Sequence, residues 1–496
     1  MARSFDAVII GSGINSLACG ALLARAGWGV CILEREEVLG GAIRTEELTE
    51  PGFLHDTFSA WHPLWVGGAA HAELGDELAA RGVEYLNTEL PTATAFPDGE
   101  AVFLLRSTEE NVAELGEEWR DVVNSFLPNA DLAFGTLGTE LWSRAGLMLG
   151  LRALRRLGPR GLVQYVGGML VTSRDWLEQT FPSERARGLL APWVLHTGLG
   201  PDAAASGFMT QVIAVAVQEG GMPIPRGGGA RLVDALVQLI RDRGGAVESG
   251  RDVERVLVEG GRAVGVRTAD GEEVRSERAV IANVTPTQLY GRLLPRARPL
   301  RYRYGRGDMQ IHFALSEPAR WEGDERLNRT AIVHVTPGLD GVSRAVNEAE
   351  RGLLPEEGTI VVGQPLTIDP ARAPEGKGLL WIQLQELPRG FDWTEEARER
   401  YADRITARLA RHIPNLESAL LKRVVLSPAD LERANVNLVG GDPYSGALSL
   451  DQNFLWRPRP GHATDVKDLW HIGASTHPGP GLGAGSGTLV AKRLLR

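Results

Sequence analysis

A glycine turn near the start of the chain constrains its fold more than any other feature. Residues 6–10 (DAVII) are typical of a buried strand, GSGINS (Gly11 to Ser16) follows, and SLACGALLARAG predicts a helix that ends at Gly27. WGVCILER is then typical of a second strand. A strand, a tight turn, a helix and a second strand in this order open a doubly wound α/β domain.

The spacing within this turn predicts a dinucleotide site. Gly11 permits the tight turn, and Gly13 lets the backbone approach a pyrophosphate at the helix N-terminus, where free N–H groups and the helix dipole favour anions. Ser16 is small enough for the helix to pack on the strand. Glu34 ends the second strand, where a carboxylate accepts hydrogen bonds from ribose hydroxyls and repels a 2′-phosphate. The pattern favours FAD or NAD over NADP; the alternative is a glycine-rich turn that binds nothing.

Charge and cysteine content exclude several classes of protein. The chain has 496 residues and a net charge of −10, so nucleic acid is not expected as a partner. Cys19 and Cys31 are its two cysteines; they form no CxxC pair, which excludes a cysteine zinc site and fits a reducing compartment. The start of the chain has no signal-peptide pattern, and the uncharged window Leu469 to Ala491 is too rich in glycine and proline for a membrane helix. We expect a cytoplasmic protein.

The chain alternates between two kinds of segment, which predicts two interleaved domains. Residues 1–80, 220–300 and 425–496 carry the short strands and glycine-rich turns of a Rossmann-like nucleotide-binding domain. Residues 81–219 are mostly helical in pattern and residues 301–424 are mixed. We assign these two segments to a discontinuous α+β substrate domain that is inserted twice.

Four motifs in order resemble one family of flavoenzymes. The segment from GSGINS to LEREEVLGGAIRTEE resembles the start of FAD-dependent phytoene-desaturase-like oxidoreductases, a branch of the flavin amine oxidase superfamily. Three later segments of this chain are similar to segments that follow in that family: PGFLHDTFSAWHP (Pro51 to Pro63), PIPRGGGARLVDALVQLIRDRGG and HIGASTHPGPGLGAGSG (His471 to Gly487). The resemblance covers the whole chain.

The resemblance implies a Rossmann-like FAD-binding domain. Because the C-terminal half has no cysteine that could form a covalent link, we expect FAD to be held non-covalently. The adenosine ribose is then expected on Glu34, the pyrophosphate over the glycine turn and the adenine beside Val253. Further cofactor contacts are implied in the glycine turn, after Glu34 and in the C-terminal loop, at Gly11, Gly13, Ile14, Asn15, Ser16, Arg35, Gly40, Gly41, Ala42, Arg44, Gly473, Ala474, Gly483 and Ala484. A surface salt bridge is the alternative role for Arg44.

The chain departs from the family pattern at two points. Many relatives carry Asn-Gly where this chain has Asn15-Ser16, which is a mild change. Some relatives carry a histidine in a GGD-x-x-G segment where GGDPYSG has Ser445, so a function of that histidine is met differently here. GLGAGSG (Gly481 to Gly487) repeats a Gly-x-Gly pattern, but a second strand and its acid do not follow. We therefore expect no separate NAD(P)H domain, and oxygen or a quinone as the electron acceptor.

The histidines are the candidates for proton transfer. His477 lies in the glycine-rich loop expected near the flavin, and His55 adjoins Asp56. His62, His312 and His334 are weaker candidates, and a packed or exposed histidine is the alternative interpretation for each of them. No metal-ligand or Ser-His-Asp spacing occurs, so we expect no metal and no hydrolase chemistry.

Tryptophans and a basic helix point to an apolar ligand and a membrane. Either a hydrophobic tunnel or an ordinary core explains the tryptophans in or beside the helical segment, Trp61, Trp65, Trp142, Trp176 and Trp193. LRALRRLGPRG carries Arg152, Arg155 and Arg156 beside apolar residues, a pattern for peripheral contact with the inner face of a membrane. A solvated helix face is the alternative.

Together these features predict an FAD-dependent oxidoreductase that desaturates or dehydrogenates a hydrophobic, polyene or isoprenoid-like substrate by hydride transfer to flavin N5. The alternatives are a reductive cyclase, isomerase or ketolase of a polyene natural product, or an amine oxidase. A non-catalytic FAD-binding assembly protein is the alternative from a different class.

Overall fold

Two seven-stranded sheets organise the part of the chain that the computed structural model describes, residues 3–294, 300–453 and 457–496. The first sheet runs in the order Val253–Glu259, Arg262–Thr268, Glu273–Asn283, Arg3–Ile10, Val30–Leu33 and Ala246–Glu248, with Leu469–Ile472 also paired to Glu273–Asn283. The second runs in the order Leu420–Leu426, Gly307–Leu315, Gly378–Leu387, Ile360–Gly363, Ile332–Val335, Thr92–Ala95 and Ala101–Leu104. Two short ribbons pair Thr45–Glu46 with His55–Asp56 and Tyr85–Leu86 with Ile224–Pro225.

The first sheet has a parallel centre. Arg3–Ile10 pairs in parallel with Glu273–Asn283 and with Val30–Leu33, and its last four residues are buried because helices and a hairpin cover the two faces. One face packs on three helices, Ile14–Arg25, Ala230–Asp242 and Gly485–Leu494. The antiparallel hairpin Val253–Glu259 and Arg262–Thr268 shields the other face. The prediction of a Rossmann-like α/β fold is confirmed, with a hairpin in place of helices on the second face.

The second sheet is mostly antiparallel, and each of its two faces packs against a separate hydrophobic cluster. Met309, Ile311 and Phe313 point to one face, which the helix Glu395–Leu409 covers. The opposite face is covered by helices between residues 108 and 220: Thr108–Leu115, Glu118–Phe126, Ala130–Gly138, Arg144–Met169, Ser173–Thr180, Glu184–Leu190 and Ser206–Gly220, with the 3₁₀ segment Ala191–Thr197. The remaining α-helices of four residues or more are Pro63–Val66, Ala69–Ala79, Gly338–Glu350, Leu416–Ala419, Pro428–Ala434 and Leu450–Asn453.

Residues 81–219 are mostly helical, as expected, but they also contribute two strands to the second sheet. Thr92–Ala95 and Ala101–Leu104 form a hairpin at its edge. The turn PDG between them is a hairpin signal that the helical pattern of the longer segment obscured. The five domain boundaries remain a prediction. Within the described ranges, no helix combines the length and apolarity needed to cross a membrane.

Candidate cofactor and substrate site

The first glycine turn lies against the end of the strand Glu273–Asn283. The N–H of Gly11 donates to the Leu33 carbonyl at 2.8 Å, and Gly11 has a φ of +85°. A Cβ at Gly11 would lie 3.0 Å from the Asn283 carbonyl oxygen, and one at Gly13 would lie 3.0 Å from Asn283 Nδ2. Both positions therefore require glycine, which leaves the backbone bare where a phosphate approaches.

The helix Ile14–Arg25 begins in this turn without a capping side chain. Its first N–H groups are thus available to an anion, which the helix dipole also favours. Ser16 is buried and its Oγ accepts a hydrogen bond from Asn283 Nδ2 at 2.9 Å. Asn283 fixes the position of the helix N-terminus from the neighbouring strand.

Glu34 lies beside the turn and is buried. Its Oε2 accepts from the Ser12 N–H at 2.7 Å and from Ser12 Oγ at 2.8 Å, and its Oε1 accepts from the Glu36 N–H at 3.0 Å. Ser12 Oγ in turn accepts from the Gly40 N–H at 3.0 Å. A carboxylate has about four acceptor sites, so Glu34 can hold the turn and still accept from a ribose hydroxyl. Arg35 points away and pairs with Glu36 at 3.0 Å.

The segment after Glu34 folds over the glycine turn. Gly41 has a φ of +63°, and a Cβ on it would lie 3.1 Å from the Gly13 Cα. A Cβ on Gly40 would lie 2.4 Å from the Ile43 carbonyl oxygen. Arg44 forms an ion pair with Glu46 at 2.8 Å, the alternative role considered for it, while its buried Nε has no protein partner among the described residues.

Two further predicted contacts are Ala42 and Val253. Ala42 packs against the small apolar cluster around Phe58. Val253 is buried at the start of its strand, in the same cluster as Val8 and Leu33, at the adenosine end expected from the motif. These positions surround the space next to Glu34 and the glycine turn.

The C-terminal loop locks onto the N-terminal turn. Ser486 Oγ donates to Asn15 Oδ1 at 2.8 Å and accepts from the Gly473 N–H at 2.8 Å. The Gly487 N–H also donates to Asn15 Oδ1, at 3.1 Å. A Cβ on Gly487 would lie 2.0 Å from the Asn15 carbonyl oxygen, so the two segments approach backbone to backbone. Ala484 is buried and adopts a left-handed φ of +53° at the start of the last helix.

Gly483 and Ala474 hold the rest of this loop in place. A Cβ on Gly483 would lie 2.9 Å from the Leu64 carbonyl oxygen. The Ala474 carbonyl accepts from Arg457 Nε at 3.1 Å. The predicted cofactor residues of the two chain ends thus form one continuous cradle, and its close glycines, uncapped helix and buried acid fit an adenine dinucleotide.

His55 belongs to a buried network beside this cradle. Its Nε2 is 2.8 Å from Thr49 Oγ1, its Nδ1 has no partner in the described chain, and its ring lies 5.1 Å from that of His312. Burial, with His312 and Arg372 close by, lowers the pKa of His55 to about 2. Burial also lowers the pKa of His312 to about 4. Both rings are therefore neutral at pH 7 and able to accept a proton only weakly.

The residue next to His55 is part of a buried ion-pair network. Arg372 contacts the carboxylates of Asp56 and Asp369. Asp56 also accepts from the Gly229 N–H at 3.0 Å, and Asp369 accepts from the Gly227 N–H at 2.7 Å. The network ties the central motif PIPRGGGA to the 3₁₀ segment Pro370–Arg372, which lies along the chain between two strands of the second sheet.

His477 lies in a separate network. Its carbonyl accepts from His462 Nε2 at 2.7 Å, and His462 Nδ1 is 2.7 Å from Glu140 Oε1. The Nε2 of His477 is buried and has no partner among the described residues. Burial, with His462 nearby, lowers the pKa of His477 to about 4. His55 and His477 are thus held apart, on different segments around the cradle. His62 is buried and its Nδ1 is 3.0 Å from the Tyr85 hydroxyl.

An aromatic layer fills the space between the second sheet and the helices. Trp61 packs edge-on against Trp381, with ring centroids 5.3 Å apart. Trp193 stacks on His196 at 4.6 Å, and His196 Nε2 is 3.1 Å from His334 Nε2. Trp176 packs at the border of this layer.

Two of the tryptophans singled out from the sequence do not belong to this layer. Trp65 is buried in the core of the first sheet, because the short helix Pro63–Val66 follows the cofactor segments. Trp142 has 64% of its side chain exposed, because the turn that precedes the helix Arg144–Met169 lies at the surface.

With this geometry established, comparison with known proteins identifies the family. The model of the family described as flavin containing amine oxidoreductase matches residues 17–479. The chain is a flavin-containing amine oxidoreductase. As expected, this flavoprotein is phytoene-desaturase-like, and it is an FAD-dependent oxidoreductase.

Curated relatives cover almost the whole chain. A mouse protein named pyridine nucleotide-disulfide oxidoreductase domain-containing protein 2 is 28% identical, over 99% of this chain and 93% of its own. A limonene dehydrogenase subunit from Castellaniella defragrans is 25% identical, over 99% and 94%. The zeta-carotene-forming phytoene desaturase of Myxococcus xanthus is 27% identical, over 98% and 93%.

Solved structures share the fold of this flavoprotein. An oxidoreductase from Methanosarcina mazei has a TM-score of 0.63 at 17% identity and covers 98% of this chain and 99% of its own. Cyclohexylamine oxidase from Brevibacterium oxydans has a TM-score of 0.61 at 16% identity, with coverage of 99% and 98%. At such identities the likeness concerns the fold.

Sequence reasoning did not single out three residues that hold the flavoprotein's cradle together. Ser12 joins Glu34 to Gly40, Asn283 holds the first turn, and Ser486 joins Asn15 to Gly473. Asn283 had a detectable signal, because it ends the buried strand RAVIAN, and the carboxyl ends of parallel strands face the ligand. Ser12 and Ser486 had none beyond their place inside a motif.

Proposed function

We propose that this flavoprotein desaturates or dehydrogenates a substrate with a hydrophobic, isoprenoid-like or polyene body. The observation that carries the proposal is the aromatic layer of Trp61, Trp193 and Trp381, which is buried between the second sheet and the helices. Trp61 lies in the same segment, PGFLHDTFSAWHP, as His55 and Asp56. The names of two relatives, a limonene dehydrogenase subunit and a phytoene desaturase, support the same chemistry.

Bound FAD supplies a hydride acceptor at its N5 atom. The chain's own contribution is to hold a substrate C–H bond in place, exclude water and receive the proton that accompanies the hydride. His55 and His477 are the residues proposed for the proton, because each has a ring nitrogen without a protein partner in the described chain. Burial lowers the pKa of both rings, so each would pass the proton on and not keep it. The electron acceptor proposed for reoxidation is oxygen or a quinone.

Anaerobic reduction of the flavin tests this proposal. Isoprenoid and polyene substrates should bleach the flavin absorbance of the purified holoprotein, and the product should have lost two hydrogen atoms. NADH and NADPH should reduce the flavin slowly, because no separate nicotinamide domain is proposed to align them. Rapid, saturable bleaching by NADPH would instead favour a reductive cyclase, and no reduction by any substrate would favour an assembly protein.

We also propose peripheral contact with an anionic membrane through the helix Arg144–Met169. This helix contains no acidic residue, and it exposes 64% of Leu147, 56% of Met148 and 73% of Val163. Its arginines Arg155 and Arg160 are exposed. Exposed apolar side chains between arginines suit a surface that offers both acyl chains and negative charge. Such contact would give access to an apolar substrate.

A further inference from the structure

One face of the second sheet carries a row of buried polar side chains. In the strand Gly307–Leu315, Asp308 and Gln310 alternate with apolar residues of the opposite face, and both are buried. Gln310 is opposite Gln383 of the strand Gly378–Leu387. This is the face that also carries Trp381, so the polar row continues the aromatic layer described above. We call Asp308, Gln310, Gln383 and Gln385 the polar patch.

Hydrogen bonds fix the orientation of two amides in the patch. Gln383 Nε2 donates to Asp308 Oδ2 at 2.6 Å, and Gln310 Nε2 donates to the same oxygen at 3.2 Å. Asp308 Oδ2 takes two donors, so it is the accepting oxygen of the carboxyl group and both amides present their nitrogen to it. Asp308 Oδ1 and Gln310 Oε1 are then left buried without a partner among the described residues.

A tyrosine fixes the third amide. The Tyr444 hydroxyl donates to the Leu195 carbonyl at 2.6 Å, so it must accept from Gln385 Nε2 at 2.9 Å. Gln385 Oε1 is the third buried oxygen of the patch without a partner in the described chain. The two amide oxygens are acceptors, and Asp308 Oδ1 is an acceptor when its carboxyl group is ionised.

The patch is connected to the cofactor cradle. The residue after Tyr444 is Ser445, whose carbonyl accepts from Ser475 Oγ at 3.1 Å. Ser475 lies in the C-terminal loop, two residues after Gly473. The patch is therefore next to the loop that closes the cofactor site.

No positive charge of the described chain is paired with the Asp308 carboxylate. The nearby Arg306 instead donates to the carbonyls of Gln385 and Leu199 and pairs with Glu350. Burial raises the pKa of Asp308 to about 8. Asp308 Oδ1 therefore carries the proton at pH 7 when no ligand is bound, and the three buried atoms without partners carry a free-energy cost that a hydrogen-bonding ligand would remove.

We propose that the polar patch binds a hydrogen-bond-donating head group, a hydroxyl or a protonated amine, on the otherwise apolar substrate. This inference rests on the proposed function, because it assigns the substrate of that same site. Gln310 Oε1 and Gln385 Oε1 accept from the head group. Asp308 Oδ1 releases its proton to solvent when a protonated amine binds, or exchanges hydrogen bonds with a hydroxyl. The head group anchors one end of the molecule while its apolar body lies against Trp61 and Trp381.

Three probes of one carbon skeleton test the inference: geranylamine, geraniol and the hydrocarbon myrcene. Each is titrated anaerobically into the FAD-loaded protein, and binding is measured as the change in the visible flavin spectrum. Geranylamine or geraniol should bind at least about tenfold more tightly than myrcene, since one charge-assisted or two neutral hydrogen bonds suffice for that factor. The preferred probe identifies the head group as an amine or a hydroxyl.

A matched pair of variants locates the effect. Asp308→Asn should weaken the preferred probe about tenfold or more and leave myrcene within about twofold. Glu386→Gln is the control, because Glu386 is a buried carboxylate of the same strand as Gln383 and its partner is Thr359. It should leave the preference unchanged.

The outcomes separate this inference from the proposed function. Equal affinity for the three probes, a preference for myrcene, no binding of any probe, or equal effects of Asp308→Asn on all of them would overturn the inference. Binding with the expected preference but without flavin reduction or product would overturn the proposed dehydrogenation and leave the head-group site standing.

Discussion

The cofactor cradle and the polar patch are both buried and both polar, but they differ in whether their polar groups find hydrogen-bond partners within the chain. In the cradle, Ser12, Asn283 and Ser486 satisfy one segment with another. In the patch, oxygens of Asp308 and Gln385 are left without donors among the described residues. Buried polar groups without partners are costly. We infer that the hydrogen bonds of the cradle are completed within the chain, whereas those of the patch are completed by a ligand.

The cradle should tolerate no added atom at its closest approach. Gly487→Ala places a Cβ 2.0 Å from the Asn15 carbonyl oxygen, so the C-terminal loop must move away from the first turn. We expect FAD affinity to fall by a factor of about a hundred or more, which is about 2.7 kcal/mol. The measurement is flavin content after purification and titration of the apoprotein with FAD. Gly167→Ala is the control, since a Cβ at this helical glycine meets nothing within 4 Å. Normal flavin content in Gly487→Ala would show that the two segments are not tightly joined.

Substitution of Glu34, the buried acid of the cradle, should lower FAD affinity by a smaller factor than Gly487→Ala. Glu34→Gln removes the charge from hydrogen bonds to Ser12 and to the expected ribose, at a cost of about 1.5–3 kcal/mol. FAD affinity should fall about tenfold to a hundredfold, as measured by fluorescence titration. Glu36→Gln alters a neighbouring surface acid and should have little effect. An unchanged affinity in Glu34→Gln would place the ribose elsewhere.

In the patch, by contrast, we expect a substitution to stabilise the ligand-free protein. Asp308 keeps its proton up to about pH 8 when folded but loses it near pH 4 when unfolded. The unfolded chain therefore binds fewer protons between these values, and the free energy of unfolding falls as the pH rises through this window. Asp308→Asn should remove this pH-dependent loss and raise the free energy of unfolding by about 1–3 kcal/mol at pH 8, with a smaller increase at pH 5.

Thermal unfolding at the two pH values measures this difference. Asp324→Asn serves as a control of opposite sign, because a side-chain hydrogen bond from Arg326 lowers the pKa of Asp324. That variant should be less stable than the wild type at pH 7. If Asp308→Asn is instead destabilised throughout pH 5–8, the carboxylate is satisfied by the fold and the contrast between patch and cradle disappears.

The smallest effect concerns the surface. Replacing Arg152, Arg155 and Arg156 with Gln should reduce binding to anionic vesicles several-fold, and more at low salt, because each charge contributes about 1 kcal/mol near the membrane. Arg152 and Arg156 also contact Asp131, which reduces their share. A triple Gln variant of the exposed Arg320, Arg400 and Arg433 controls for net charge. Equal vesicle binding by both triple variants would leave the helix as a solvated face.

The two regions also differ in how far the sequence predicts them. The cradle follows from Gly11, Gly13 and Glu34, because backbone contacts to a phosphate need glycine at fixed positions and the flanking strand and helix are local. The links through Asn283 and Ser486 join residues far apart in the chain, and no local pattern indicates which polar residue meets which turn.

The sequence contains a pattern that corresponds to the patch, but the pattern can be interpreted only when the packing of the sheet is known. GDMQIHFAL alternates Asp308, Gln310 and His312 with Met309, Ile311 and Phe313, the period of a strand with two different faces. Such alternation normally indicates a solvent-exposed face. Here both faces are buried, because the helices between residues 108 and 220 cover the polar one, and that covering depends on tertiary packing.

The joining of Asn15 to Ser486 has a consequence for synthesis. These residues are 471 positions apart, and ribosomes add about 5–20 residues per second, so the first turn waits about 25–95 s for its second half. Until residues 473–487 emerge, the nascent chain exposes an incomplete nucleotide pocket and the apolar face of the helix Ile14–Arg25. We therefore expect flavin to bind only after residues 473–487 have been synthesised, when both halves of the site are present.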